Sequence, residues 1–284
     1  MLKKYLSLVK FSHTIFAMPF ALTGFFLGYL RTPENFEWKL LGLVILCMVF
    51  ARNAAMAFNR WADRDIDADN DRTRVREIPA GKVKPRQALI FVIFNCALFI
   101  AATWLINPLC FYLSPVALLV VLGYSLTKRI TALCHLVLGL GLSLAPVGAF
   151  IAITGFFDVA PIVLGVAVLT WVSGFDIIYA LQDEQFDREH DLHSIPALFG
   201  KHRALYLSSF LHLMTASAIA SFTYIIGGDY LSWLAAAIFI VLLFYQHYLV
   251  KPNDLSKVNL AFFTTNGVAS VIFGLLVIFE MLML

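Results

Sequence analysis

Twelve of the 18 acidic residues in this 284-residue chain fall in two short stretches, Asp63 to Glu77 and Asp176 to Asp191. An ordinary solvated loop mixes its charges without regard to helical phase. Here the phase is kept. Asn59, Asp63 and Asp67 stand four apart, so at 100° per residue they cover roughly 80° of one helix face, and Asp65 points elsewhere. Asp176, Tyr179, Asp183 and Asp187 fall within a similar arc that again ends in carboxylates four apart. Like charges at that spacing repel one another. At a membrane edge such a ridge is costly unless a cation bridges it. Hard oxygen ligands with incomplete protein coordination suit Mg²⁺, which typically takes one or two carboxylates and completes its shell with water and phosphate oxygens. The ligand so implied is a diphosphate.

Basic residues are placed to fit the same ligand. Arg72, Arg74, Arg76, Lys82 and Lys84 follow the first acids, Lys128 and Arg129 lie between the two stretches, and Lys201 and Arg203 follow the second. The competing reading is that these residues only orient the chain in a bilayer, since inward-facing links carry Lys and Arg in any case.

The elements that must carry these groups are membrane helices. Hydrophobic residues make up 61% of the chain and charged ones 14%, far from the balance of a soluble domain. Uncharged runs of about 20 residues, enough to cross a bilayer as helix, recur along its length. They predict nine spans: Phe11 to Leu30, Leu40 to Asn59, Ala88 to Ile106, Leu109 to Leu126, Cys134 to Ile153, Val159 to Leu181, Ala204 to Gly227, Tyr230 to Val250 and Leu260 to Leu284. The expected fold is all-α, a polytopic membrane protein of about nine helices around a central cavity. It reads as one domain over residues 1–284, with motif-bearing links at 59–87 and 176–203. The weakest boundary is Asn107-Pro108, where two spans could be one broken stretch.

Charge placement favours nine. Lys3, Lys4 and Lys10 precede the first span, the even-numbered links hold most other basic residues, and the odd-numbered links hold only Arg31 and Lys39. That asymmetry places the amino terminus and the acidic links in the cytoplasm. The Lys-rich lead is followed by an apolar run too long for a signal peptide and by no small-residue cleavage site. Cys47, Cys96, Cys110 and Cys134 show no paired spacing, so neither a disulfide framework nor a zinc site is suggested. The net charge of +3 needs no nucleic acid to explain it.

The two acidic stretches read as diverged copies of one unit. Asp63 and Asp67 fall on Asp183 and Asp187 after a shift of 120 residues, and each stretch ends in Pro and Gly, Pro79 with Gly81 and Pro196 with Gly200. A duplicated half-bundle would set two metal faces across a cavity.

Residues 59–81, NRWADRDIDADNDRTRVREIPAG, resemble the first aspartate motif of the UbiA-type intramembrane prenyltransferase superfamily, NDxxDxxxD followed by RTxxRPxxxG. Residues 176–187, DIIYALQDEQFD, are similar to its DxxYxxxDxxxD, and YSLTKR, Tyr124 to Arg129, to its YxxxKR link. The resemblance spans the whole chain. It implies that Asp63, Asp67, Asp183 and Asp187 hold Mg²⁺, with Asn59 beside them on the diphosphate. It further implies phosphate contacts from Arg72, Lys128 and Arg129, with Tyr124 and His193 in the matching links, and a reaction site lined by Asp176 and Tyr179. Arg52, seven residues before Asn59 and on nearly the same face, is a buried cation without an acidic neighbour in its span. It is the candidate partner of an acceptor carboxylate.

The implied reaction moves a polyprenyl group from its diphosphate to a small aromatic acid, with no obligatory protein partner, in a bacterial inner membrane. Departures are Arg60 where Asp is usual, Glu77 where Pro is usual, and His193 where Lys or Arg is common. The opening KFSHTIFAMPFAL, with FNRWADRDID and DLHSIP, is similar to the 4-hydroxybenzoate polyprenyltransferase-like branch tied to menaquinone made through the futalosine route. Dihydroxynaphthoate, homogentisate, porphyrin or lipid acceptors stay open on the same framework, and Asp176 is the candidate base for the ring proton.

An ion-coupled transporter is the alternative from another class, but its charged site should lie mid-membrane on broken helices. His13, His135 and His247 read as polar residues joining helices, with acceptor binding the other reading of His13. Gly139, Gly141 and Gly148 read as points of close helix contact.

Overall fold

The computed structural model describes residues 7–9, 17–32 and 36–283, and all its extended elements are helical. In hydrocarbon a spanning segment must satisfy its own backbone polar groups, which a helix does and an open strand does not. In chain order the helices are α1 (Met18–Arg31), α2 (Trp38–Ala62), α3 (Arg64–Asp69), α4 (Pro85–Ile106), α5 (Pro108–Thr127), α6 (Cys134–Thr154) and α7 (Val159–Ala180). A 3₁₀ turn, Leu181–Asp183, leads into α8 (Glu184–Glu189), followed by α9 (Ile195–Ile225) and α10 (Tyr230–Leu249). A π-helical turn, Leu260–Thr265, opens α11 (Asn266–Met283).

Eight helical segments among the described residues are long and apolar enough to cross a membrane, and they coincide with the second to ninth expected spans. The first expected span is described from residue 17 onward, as α1. Lys3, Lys4, Lys10 and His13 lie outside the described residues. The doubtful boundary resolves as two helices: Asn107 is extended, and its side chain accepts a hydrogen bond from the Cys110 amide at 2.8 Å, capping α5.

The largest displacement from expectation is at α9, which begins at Ile195 rather than Ala204. Ser194 supplies the N-cap, accepting from the Ala197 amide, and Pro196 fits the first turn. The helix then kinks at Gly200, whose φ of 76° lies in the left-handed region that a side chain would strain.

The described residues form two compact units. One is built on Glu37–Leu126 and the other on α1 and the chain from Thr127 onward.

In the first unit α2 packs on α4. Asn53 on α2 donates to Asn95 on α4 at 3.3 Å, and Asn95 back-bonds to the Phe91 carbonyl. Beneath them Leu8, Ala57, Ile78, Val83, Ala88 and Val92 make a small buried cluster. Ile78 and Val83 belong to the link after α3, so apolar burial ties that link to the bundle instead of leaving it free in water.

In the second unit α7 lies against α6 and α9. Its Trp171 is fully buried, ringed by Phe20, Phe175 and Phe239 at centroid distances of 5.2, 5.1 and 5.5 Å. Lipid is as apolar as these side chains, so association rests on close packing and on hydrogen bonds between helices. Trp171 Nε1 donates to Asn266 Oδ1 at 2.9 Å, Gln246 donates to the same oxygen at 2.6 Å, and Thr170 meets Thr215 at 2.9 Å. Gly139 lets α6 approach α7 closely, since a Cβ there would strike the Leu169 carbonyl and the Ser173 hydroxyl. Gly148 differs from expectation, because a Cβ there would meet open space.

Candidate functional site

The first acidic stretch is built at a helix break. α2 ends at Ala62, Asp63 leaves helical geometry (φ −92°, ψ 9°), and the six-residue α3 resumes at Arg64. The continuous ridge expected from spacing is therefore interrupted. The four-residue register survives through the backbone, because the Asp63 amide donates to the Asn59 carbonyl at 2.9 Å and the Asp67 amide to the Asp63 carbonyl at 2.7 Å. Asn59 Nδ2 also donates to Asp63 Oδ2 at 2.9 Å, and Asp65 turns outward beside Arg64.

Asp67 is the buried member, only 4% exposed. Its Oδ1 receives Arg76 Nη1 at 2.6 Å, whereas Oδ2 has no hydrogen-bond partner among the described residues. A buried carboxylate oxygen left in that state retains its full desolvation cost. The link reaches Arg76 through an Asx turn: Asn70 Oδ1 accepts the Arg72 amide, and Thr73 Oγ1 donates to the Asp67 carbonyl. Arg72, expected at a phosphate, projects from this turn with its side chain exposed, and Arg76 occupies the place beside the acid. Arg60 is buried at the end of α2, not in the link as expected. Arg52 is half-buried about two turns deeper, and its Nε also lacks a hydrogen-bond partner among the described residues. Tyr124 is half-buried near the end of α5.

The second stretch repeats this construction at a shift of 120 residues. Asp183 leaves helical geometry (φ −106°, ψ 6°), and the six-residue α8 follows it as α3 follows Asp63. Asp187, the counterpart of Asp67, is fully buried. Lys128 Nζ lies 2.6 Å from its Oδ1, and Ser194 Oγ donates to Oδ2 at 2.7 Å. The link folds back through Asp191, whose φ of 52° reverses the chain, and the His193 amide donates to the Lys128 carbonyl at 2.8 Å. His193 thus holds the lysine's segment by its backbone, with its side chain exposed, and Arg129 is exposed as well. Tyr179 packs on Phe262 with centroids 4.2 Å apart.

Asp176, one turn before Tyr179, is joined to a residue that sequence reasoning set aside. His135 Nδ1 lies 2.7 Å from Asp176 Oδ2. Ser194 and His135 were not among the expected site residues, and Arg76 was named only with the other basic residues of its link. Arg76 was visible as the second arginine of its motif; nothing in local spacing marks a His 41 residues from its partner. His247 does join helices as expected, bonding His212 at 2.8 Å.

Among the described residues no three His, Cys, Asp or Glu side chains are gathered to hold a metal by themselves. An ion that relies on one or two carboxylates and on substrate oxygens does not require such a group. The half-satisfied Asp67, a turn from Asp63, fits Mg²⁺ on that basis. The breaks at Asp63 and Asp183 fall at helix ends rather than midway through a span, unlike the interrupted helices of a transporter.

Long apolar helices whose ends carry paired aspartates beside Arg and Lys define a multi-pass integral membrane protein. Residues 17–268 match the UbiA prenyltransferase family, and the chain belongs to it. It is 31% identical to the 4-hydroxybenzoate octaprenyltransferase of Tolumonas auensis over 82% of this chain and 81% of that one. A UbiA homolog from Aeropyrum pernix K1, solved in the apo state, superposes with a TM-score of 0.85 at 31% identity, covering 95% of this chain and 98% of its own. A UbiA homolog from Archaeoglobus fulgidus bound to DMAPP and Mg²⁺ shares the fold, with a TM-score of 0.76 at 23% identity over 99% of this chain and 100% of its own.

Proposed function

We propose that this prenyltransferase moves a polyprenyl group from polyprenyl diphosphate to the ring of a small aromatic carboxylic acid of the 4-hydroxybenzoate type, in quinone synthesis. The observation that carries the reading is Asp67: a buried carboxylate with one oxygen on Arg76 and the other without a hydrogen bond among the described residues, one turn from Asp63. The name of the Tolumonas auensis relative supports the acceptor class. The resemblance of residues 10–22 favours the menaquinone branch over ubiquinone.

In this reading Asp63 and Asp67 would hold Mg²⁺ in the first unit, and Asp183 and Asp187 would do so in the second. The chemistry supplied by Mg²⁺ is neutralisation of the charge that gathers on the departing diphosphate. Asn59, Arg72, Arg76, Lys128 and Arg129 add donors to phosphate oxygens. The ring of Tyr179, backed by Phe262, presents a π face to the allylic cation, and the apolar surroundings exclude water that would quench it. Arg52 offers the carboxylate of the acceptor its Nε, which has no hydrogen-bond partner among the described residues. Asp176 accepts the ring proton whose loss restores aromaticity. Tyr124 and His193 border the phosphate side. The basic even-numbered links favour a cytoplasmic position for this end of the helices.

The test is turnover by the purified protein with Mg²⁺, a polyprenyl diphosphate and a panel of aromatic acids. Diphosphate release with formation of a lipophilic product is expected. Absence of turnover with every acid overturns the acceptor class, and an unchanged KM for the acid in Arg52→Met removes the role of that residue.

A further inference from the structure

The reading above gives Asp176 a task but does not say what aims it. His135, at the start of α6, is 3% exposed and makes two side-chain hydrogen bonds. Its Nε2 stands 3.3 Å from the backbone nitrogen of Ile195. A backbone amide only donates, so Nε2 acts as an acceptor and carries no proton. The ring hydrogen is then on Nδ1, which donates to Asp176 Oδ2 at 2.7 Å. One bond thus fixes the tautomer that makes the other.

The same helix start serves both acids of the second motif. Ile195 opens α9, and its amide is one of the donors that a helix leaves unsatisfied at its first turn. Ser194, immediately before it, caps the helix and donates to Asp187. Asp187 is therefore held from Ser194, and Asp176 from Ile195 by way of the imidazole. The Ser173 hydroxyl, on the helix that carries Asp176, donates to the His135 carbonyl at 3.1 Å, so the backbone of the His is tied to that helix as well. The Asp176 side chain remains 24% exposed, open to a reacting molecule while one oxygen is held.

We propose that His135 is a positioning residue for the transfer reaction: it fixes the rotamer of Asp176 and locks it to the α9 start that holds Asp187. This rests on the proposed role of Asp176. The competing account is that His135 does no more than cap the Ile195 amide. Two substitutions separate these accounts. The amide nitrogen of Asn occupies the place of Nδ1 and donates to Asp176 without reaching Ile195. Gln places its terminal group near the position of Nε2, where it can accept from Ile195 but not hold Asp176.

The experiment measures kcat, the KM of each substrate and thermal unfolding for His135→Ala, His135→Asn, His135→Gln, Asp176→Ala and the double Ala variant. A misaimed group near the chemistry costs roughly 10- to 100-fold, so His135→Ala should lose that much kcat with the KM for polyprenyl diphosphate little changed. His135→Asn should recover most of the loss and His135→Gln should not. The double variant should be no slower than Asp176→Ala alone, because the two residues act as one unit. Rescue by Gln and not by Asn, or losses that multiply in the double variant, overturn the proposal while leaving Asp176 in place. Full turnover by Asp176→Ala overturns the role of Asp176 itself. If His135→Ala does not fold, the comparison of Asn with Gln decides.

Discussion

Asp67 and Asp187 are equivalent in local structure: each follows a kinked aspartate by four residues, lies in a six-residue helix, is buried, and meets one cation at 2.6 Å, Arg76 or Lys128. The charge of each carboxylate is compensated before any ligand arrives. Replacing either acid by its neutral amide leaves the shape and removes the charge. Asp67→Asn and Asp187→Asn should each lower kcat by about 10²-fold or more. Steady-state diphosphate release decides, and turnover near that of the unmodified protein in either variant removes that acid from the machinery.

Metal removal should separate activity from folding. Arg76 and Lys128 already offset the buried acids, and the helices are held by packing and hydrogen bonds that involve no ion. EDTA should therefore abolish turnover, excess Mg²⁺ should restore it, and the helical circular dichroism should not change. Turnover that persists in EDTA would show that these acids work without a divalent ion.

Asn266 is a stability residue. It accepts from both Trp171 and Gln246 through one oxygen and returns its amide to the Phe262 carbonyl at 2.9 Å, in the π-helical turn before α11. Asn266→Ala strands two buried donors and should cost about 1–3 kcal/mol, in the upper part of the range for polar contacts in membranes. Unfolding of the detergent-solubilised protein measures the loss, and an unchanged midpoint would mean that the donors find other partners.

Two glycines of α6 should respond in opposite ways. Gly139→Ala drives a methyl group into the α7 backbone at Leu169, at about 1–3 kcal/mol. Gly148→Ala meets nothing within 4 Å and should be neutral or stabilising, by up to about 1 kcal/mol, because Ala is the better helix former. Equal destabilisation by both would mean that the approach at Gly139 is not close.

The spans were legible because hydrocarbon imposes a length and a composition on anything that crosses it, and neither depends on tertiary contacts. Asn107-Pro108 could be read for a related reason, since Pro favours an extended residue before it. The start of α9 was hidden: Lys201, His202 and Arg203 drop the local hydropathy before the run from Ala204, whereas Ser194 and Pro196 mark where the helix begins. The acids at 63, 67, 183 and 187 stood out by period alone. Their breaks did not, because the i to i+4 register survives at Asp63 although its dihedrals leave the helix. His135 does join two helices as expected, but its partner Asp176 was not legible, because a contact between residues on separate helices leaves no trace in spacing.

Gly200 divides α9 unequally, with residues 195–199 ahead of it and the long rod behind. A membrane-crossing rod tilts to match the thickness of the surrounding lipid, and any group rigidly continuous with it swings too. The kink at Gly200 breaks that continuity between the rod and the anchor at Ser194 and Ile195. A change of bilayer thickness should then alter the slope of the rod and leave the bonds of Ser194 to Asp187 and of His135 to Ile195 in place.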